Sequence, residues 1–229
     1  MRDLNAPIEP APTPWDFPPV DPDFEPDIIG LGADLEPGTL LAAYRRGLFP
    51  MPIDGSLRIA WWSPDPRGII ELDGLIVSRS LRRSVRRYQV TCNEDFEAVI
   101  DHCRLLDRDG GWITPEIRKA YVCLHEMGWA HSIETWTESG ELVGGLYGVG
   151  IAGLFAGESM FSTATDASKV ALVGLVDRLQ RAGARLLDVQ WQTDHLATLG
   201  ATTLTRADYL DRLDDALVPD DALLHSGLK

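Results

Sequence analysis

The sequence is poor in the features that announce export, membranes or metals. It holds no run of eighteen apolar residues, and its start, Met1-Arg2-Asp3-Leu4-Asn5, lacks the apolar core of a signal peptide. Neither a membrane span nor export is indicated, and the cytosol is the expected compartment. Cysteine is scarce. Cys92, Cys103 and Cys123 form no C-x-x-C pair and leave one thiol over, which suits reduced cysteines in a reducing compartment and speaks against zinc. The five histidines do not repair this, because His125-Glu126 followed by His131 misses the H-E-x-x-H spacing that puts two imidazoles on one helical face. No metal is expected.

Basic residues are also in deficit, with 21 Lys and Arg against 35 Asp and Glu and a formal net charge of −14. Such a balance argues against indiscriminate nucleic-acid binding, which needs a basic surface to displace counterions. One segment reverses the average, since no acid occurs between Gly74 and Asn93. Within it Arg79, Arg82, Arg83, Arg86 and Arg87 recur at i, i+3, i+4, i+7 and i+8, the spacing that lines cations along one helix face. Leu81, Val85 and Tyr88 are placed to anchor the opposite side. Two readings stand: a solvated face paired with the protein's many acids, or a phosphate-binding face, because cations so placed repel unless an anion joins them.

What the chain does have is length and apolar content. Its 229 residues, 45% hydrophobic, suffice for one large domain or one domain plus a small one. Residues 1–26 carry eight prolines with Trp15 and Phe17 as apolar anchors, so an extended arm is expected there. Asp34 as a cap, Pro37 in a first turn, Leu40, Leu41 and Tyr44 at helical spacing, and Gly47 as a stop predict a helix. Trp61 to Gly68 reads as a rigid aromatic turn, its tryptophans packing residues, leading to a strand over Gly68–Leu72. Helices are predicted over Asp95–Leu106 and from Thr114, a cap, through Pro115 to Gly128. A hairpin follows over Ala130–Thr137 and Glu141–Val149, and Ile151–Glu158 continues the sheet. A long helix over Ala167–Ala182, a strand over Arg185–Trp191 and helices near Asp194–Leu199 and Arg206–Leu213 complete the order. The predicted class is α+β, with a mixed central sheet and flanking helices.

The candidate site lies late in that order. Gly144 to Gly148 leads into Phe155-Ala156-Gly157-Glu158-Ser159-Met160-Phe161-Ser162, and Leu187-Asp188-Val189-Gln190 follows about thirty residues on. Glu158 interrupts an apolar run. Asp188 and Gln190 stand two apart in a strand, so both project from one face, and Leu187 from the other. A glycine-rich core hairpin and a loop carboxylate are the plain alternatives for each piece alone. Gly148-x-Gly150-x-x-Gly153 matches the dinucleotide fingerprint as a string, but a strand follows it where a helix should open. A coenzyme A-dependent N-acetyltransferase would hold its pyrophosphate on a glycine-containing loop at a helix N-terminus, whereas Ser162-Thr163-Ala164-Thr165-Asp166 has no glycine and one acid. That enzyme and a noncatalytic tRNA-binding module remain the alternatives to the reading below.

The chain resembles the leucyl/phenylalanyl-tRNA–protein transferases from about Pro26 to Leu213. The matching blocks are Leu31 to Leu35, Ala43 to Pro50, Trp61 to Arg67, Gly111 to Thr114, His131 to Glu134, Gly144 to Gly148, Gly157 to Ser162, Ala167 to Lys169, and Asp188-Val189-Gln190 with His195 and Leu199-Gly200-Ala201. The resemblance implies transfer of leucine or phenylalanine, and less well methionine, from tRNA to the N-terminal Arg or Lys of a protein, marking it for degradation. It implies no cofactor, a small N-terminal domain over 27–66 after the arm of 1–26, and an acetyltransferase-like (GNAT-like) catalytic domain over 67–229. By the same resemblance Asp188 and Gln190 are catalytic; the chemistry of the groups available adds Glu158, expected to orient the amine or the ribose. Leu146, Phe155, Met160, Leu175, Leu179 and Leu187 line or adjoin the pocket for the transferred side chain. Related chains often carry a tryptophan after the Phe-Pro turn that helps hold the terminal adenosine; here Met51 takes that place, and Trp112 is the remaining stacking residue. In such a reaction Gln190 accepts a hydrogen bond from the attacking amine, while Asp188 orients Gln190 and stabilises the cationic amine. The arginine face would grip the acceptor stem through phosphates.

Overall fold

The computed structural model describes residues 6–53, 58–105, 111–218 and 228. Two sheets are built in chain order. The smaller comes from β1 (Ile28–Leu31), β2 (Phe49–Pro52) and β3 (Ile59–Trp62), with α1 (Pro37–Tyr44) between the first two. Its strand order is β1-β3-β2. Next come β4 (Arg67–Ile70), α2 (Arg79–Val85), β5 (Gln89–Cys92), α3 (Phe96–Leu105) and α4 (Pro115–Glu126). β6 (Ala130–Trp136), β7 (Leu142–Ile151), β8 (Leu154–Ser162), α5 (Ala167–Arg181) and β9 (Leu186–Gln190) follow, and α6 (Asp194–Ala197), β10 (Ala201–Leu204) and α7 (Arg206–Leu217) close the chain. The large sheet has the order β10-β4-β9-β8-β7-β6-β5. Among the described residues only β8 and β9 pair in parallel, so the sheet is mixed as expected.

Local chemistry sets the helix ends. Thr114 Oγ1 accepts from Ile117 N at 3.3 Å, Pro115 fills the first turn, and Gly128 at φ +87° stops α4. α1 departs from expectation. Its N-cap is Glu36, and the Asp34 carboxylate is instead engaged by Trp15 Nε1 at 2.8 Å and by Glu36 N at 3.1 Å. Proximity to Pro37 made Asp34 look like a cap, but the helix opens two residues after it. The strands β1, β2, β3, β5 and β10 were not expected; each has four residues, too few to display a period. The helix expected over Asp95–Leu106 is α3, except that Leu106 lies outside the described residues.

Alternation along the strands sorts the core into two faces. Ile70, Phe155 and Leu187 pack on the side of α5, with Val170, Leu175 and Leu179. Their neighbours Ile69, Leu154 and Leu186 pack on the other side with Tyr209 and Leu213 of α7. On that same side, α3 and α4 bury Val99, Ile100, Ile117 and Tyr121 with Tyr147 and Val149 of β7. Residues 6–26 form neither helix nor strand, and 1–5 of the expected arm lie outside the described residues. Ile8 N donates to Met127 O, Trp129 Nε1 to Ile8 O, and Phe17 packs edge-on against Trp61. No helix among the described residues is long and apolar enough to cross a membrane.

Two irregularities shape the middle of the large sheet. In the β7–β8 pairing Tyr147 opposes Ser159 but Gly148 opposes Gly157, so Glu158 is an extra residue on β8. Such a bulge shifts the alternation by one. Phe155 and Met160, five apart, therefore share the α5 side, while Glu158 turns to the side of α1 and α4. The β8–β9 pairing covers only Leu154–Ala156 and Leu186–Asp188, and beyond it the two strands part.

Candidate active site

The parted strands open a cavity of about 770 Å³. One wall is aliphatic: Leu146, Met160, Leu172, Leu175 and Leu187 from β7, β8, α5 and β9. The facing wall is polar, with Glu158 and Gln190, and aromatic side chains Phe49, Trp112 and Trp191 with Met51 stand at its edges. Leu187 and Gln190 stand three apart, which regular alternation would put on opposite faces, but an extra residue between them shifts the alternation and both reach this space, while Asp188 is left facing the other way. β9 carries a second bulge. Gly68 opposes Gln190 and Ile69 opposes Asp188, which leaves Val189 unopposed, and Gln190 adopts a left-handed backbone at φ +63°. A non-glycine residue there is held by its surroundings. Gly68 makes room for it, because a Cβ at that position would sit 2.7 Å from Gln192 N and 2.8 Å from the carbonyl carbon of Trp191.

Asp188 supplies part of that hold. Its Oδ1 accepts from Gln190 N at 2.8 Å and from Arg67 Nε at 2.9 Å, and its Oδ2 from Arg67 Nη2 at 2.6 Å and Tyr209 Oη at 2.9 Å. Both charged side chains of the pair are 1% exposed. Arg67 also donates Nη1 to Gly47 O at 3.1 Å and lies over the rings of Phe49 and Tyr209. The carboxylate is thus saturated with donors and stands behind the cavity wall, in contact with the backbone of Gln190 and shielded from an incoming amine. Of the two parts expected of it, orienting Gln190 fits this placement, and stabilising a cationic amine would have to act from behind the wall without contact.

Glu158 sits in the polar wall with its own set of donors. Tyr44 Oη gives to Oε1 at 2.7 Å, Tyr121 Oη to Oε2 at 3.0 Å, and Gln190 Nε2 to Oε1 at 3.0 Å. The amide contact orients Gln190 so that its Oε1 is the atom left to accept. Burial pushes the Glu158 carboxyl up to about 7, with the charge of Asp188 adding to the rise and the hydrogen bonds from Tyr44 and Tyr121 and the charge of Arg67 opposing it. Burial, then the charge of Glu158, holds both phenols well above the ordinary tyrosine value.

Of the expected pocket residues, Leu146, Met160, Leu175 and Leu187 line the cavity. Phe155 and Leu179, each 0% exposed, pack on the α5 side and adjoin the cavity from the core behind its wall. Both expected adenosine residues, Met51 and Trp112, line the cavity. Arg79, Arg82, Arg83, Arg86 and Arg87 are exposed, with Leu81 and Tyr88 buried beneath them, although α2 ends at Val85 and Arg86 is its C-cap. Tyr44, Tyr121, Arg67, Tyr209 and Trp191 are site residues that sequence reasoning did not single out. Tyr44 and Arg67 did fall inside matching blocks, and that was their one available signal. The dinucleotide-like glycines span the β7–β8 hairpin, with no helix opening there.

An aliphatic pocket meeting a buried, donor-rich polar wall suits a substrate with one apolar end and one polar end. Comparison with known proteins makes this particular. A family model described as leucyl/phenylalanyl-tRNA protein transferase matches residues 69–214, and one for the N-terminal domain of the same proteins matches residues 33–65. The chain is 50% identical to a leucyl/phenylalanyl-tRNA–protein transferase of Aromatoleum aromaticum, over 85% of this chain and 86% of that one. It is 49% identical to one from Anaeromyxobacter sp. strain K, over 95% and 92%. A relative from Pseudomonas aeruginosa shares 50% over 89% and 93%. The chain belongs to the leucyl/phenylalanyl-tRNA–protein transferase family: it is an aminoacyltransferase that moves an aminoacyl group from tRNA to protein.

Proposed function

We propose that the protein transfers leucine and phenylalanine, and less well methionine, from tRNA to the N-terminal Arg or Lys of acceptor proteins in the cytoplasm, marking them for degradation. The observation that carries the reading is the cavity itself, whose aliphatic wall offers shape without hydrogen-bond partners. The transferred side chain fills the space between Leu146, Met160, Leu172, Leu175 and Leu187. The terminal adenosine lies toward Met51 and Trp112, where a stacked base is worth about 1–3 kcal/mol. The α2 arginines take acceptor-stem phosphates without regard to tRNA identity.

The ester is already activated, and an α-amine with a pKa of about 8 is substantially neutral near pH 7, so positioning supplies much of the acceleration. Gln190 Oε1 aligns the amine, and Asp188, pinned by Arg67 and Tyr209, holds Gln190 in its left-handed backbone. No ATP or cofactor enters this scheme. The division into an arm (1–26), a small N-terminal domain (27–66) and an acetyltransferase-like catalytic domain (67–229) is supported by the separate three-stranded sheet and by the two family models that meet near it. The test is transfer of radiolabelled leucine from charged tRNA, without ATP or metal, to peptides differing only at the first residue. Transfer confined to Arg and Lys peptides is expected; equal transfer to Ala or Glu peptides would overturn the acceptor reading.

A further inference from the structure

Three oxygen acids close a ring at the polar wall. Tyr44 Oη is 2.7 Å from Glu158 Oε1, Tyr121 Oη is 3.0 Å from Glu158 Oε2, and the two phenolic oxygens are 2.5 Å apart. Three oxygen–oxygen contacts require three protons. Each phenol brings one, so an ionised Glu158 leaves the ring one proton short, and a protonated Glu158 completes it. Gln190 Nε2 donates to the same Oε1 from outside the ring and supplies none of the three. The ring therefore has two states that differ by one proton, and it forms part of the cavity wall through Glu158.

We propose that Glu158, braced by Tyr44 and Tyr121, is the proton carrier of the transfer, taking the proton shed by the attacking amine and returning it to the departing ribose oxygen. The assignment rests on the transfer reading above. The amine lone pair forms the new C–N bond as the carbonyl pair moves onto oxygen, and the surplus proton on nitrogen passes to the Glu158 carboxylate. Collapse of the tetrahedral centre breaks the ester C–O bond, and the ribose oxygen leaves with the proton from Glu158. The ring passes from two protons to three and back, so none is gained or lost overall. Gln190 Oε1 meanwhile accepts from the amine's remaining hydrogen, which keeps the nitrogen beside Glu158.

The groups facing Glu158 come from several elements: Tyr44 on α1, Tyr121 on α4, Tyr147 on β7, Asp188 and Gln190 on β9, and Arg67 on β4. Asp188 disfavours ionisation, while Arg67 and the two phenols favour it; burial outweighs each and brings the carboxyl to about 7. A carrier needs both forms populated near neutrality. Tyr44 comes from the small N-terminal part, which would make that part a contributor to the chemistry as well as to substrate binding.

The experiment is the pH profile of single-turnover transfer from leucyl-tRNA to one Arg-initiated peptide, in the wild type and in Tyr44→Phe, Tyr121→Phe and Glu158→Gln. The wild-type rate should rise with pH through about 7 as the carboxylate form appears. Each tyrosine substitution removes a donor that lowers the carboxyl pKa, so this limb should move upward by about one pH unit. The acceptor's own amine ionisation is common to every variant and does not move. Glu158→Gln should lose the enzyme's limb, keep the acceptor's, and fall about 100-fold at its plateau. Unmoved limbs in both folded tyrosine variants, or a near-normal rate in Glu158→Gln, would overturn the assignment while leaving transfer intact. Glu158→Gln changes volume little and decides the matter alone should a tyrosine variant fail to fold. A wild type inactive with every peptide would instead sink the transfer reading.

Discussion

Arg67 and Arg206 are 1% and 0% exposed, while Arg79, Arg82, Arg83, Arg86 and Arg87 lie open to solvent, and the two groups have opposite fates. Arg67 spends its donors on Asp188, Gly47 O and Tyr209. Arg206, at the start of α7, reaches Ser63 O, Pro26 O and Phe24 O, and so fastens the end of the proline-rich arm to the last helix. Among the described residues, none of the five exposed arginines in and just after α2 makes an ion pair or side-chain hydrogen bond; Arg87 alone lies over a ring, that of Tyr88. A buried guanidinium must be fully matched or it destabilises the fold. An exposed one keeps its charge uncommitted. Arg67 braces the site and Arg206 the arm, whereas the exposed five leave their charge to the solvent side, though the residue type is the same.

The largest effect expected from this contrast is on Arg67. Arg67→Met leaves the Asp188 carboxylate buried without its cation, which costs about 3–5 kcal/mol. At about 2–4 °C per kcal/mol for a chain of this size, calorimetry should find the melting temperature lower by roughly 10 °C, and transfer should be lost. A melting temperature no lower than that of an α2 variant would break the comparison. Next in size, Gln190→Ala and Asp188→Asn should slow transfer by about 100-fold or more with tRNA affinity nearly unchanged, since they touch the chemistry and not the phosphate grip. Filter binding beside single-turnover assays separates the two quantities, and near-normal turnover in both folded variants would remove these residues from the mechanism.

Replacing Arg82, Arg83 and Arg86 together by Ala should leave the melting temperature in place and weaken binding of different charged tRNAs equally. Each lost phosphate contact lowers the log-log salt slope by roughly 0.7 to 0.9. Activity at saturating tRNA should survive, and an unchanged slope would return α2 to the role of a solvated face. The smallest effect concerns the aliphatic wall, where a methylene misfit is worth only about 1–3 kcal/mol. Branching at the β-carbon widens the side chain close to the ester, so valyl- and isoleucyl-tRNA should transfer about ten-fold or more slowly than leucyl-tRNA. Equal single-turnover rates for valyl and leucyl would show that shape does not select.

Much of the site was legible because its parts are local. A carboxylate in an apolar run marks Glu158, and two polar residues two apart in a strand mark Asp188 and Gln190. Helix starts at Thr114 and stops at Gly47, Gly128 and Gly183 are likewise written within a few residues of where they act. The four-residue strands β1, β2, β3, β5 and β10 were invisible, since a strand of that length is defined by its partner. Phe155 and Leu179 adjoin the cavity from the core and do not line it, a distinction the sequence does not carry, because periodicity reports direction and not distance from a cavity.

The sequence by itself determined the α+β order, the cation stripe of α2, the polar pair on β9 and, through its ordered blocks, the family. Tertiary structure alone decided which groups meet. Tyr44 and Tyr121 are 77 positions apart, and Arg67 and Asp188 are 121 apart. It also decided that Asp188 stands behind the wall with its charge consumed, and that the bulge at Val189 brings Leu187 and Gln190 to one space. The reason is physical. Helical and strand periods relate residues within a few positions, whereas the desolvation that tunes Glu158 and the pairing that saturates Asp188 depend on elements brought together from distant parts of the chain.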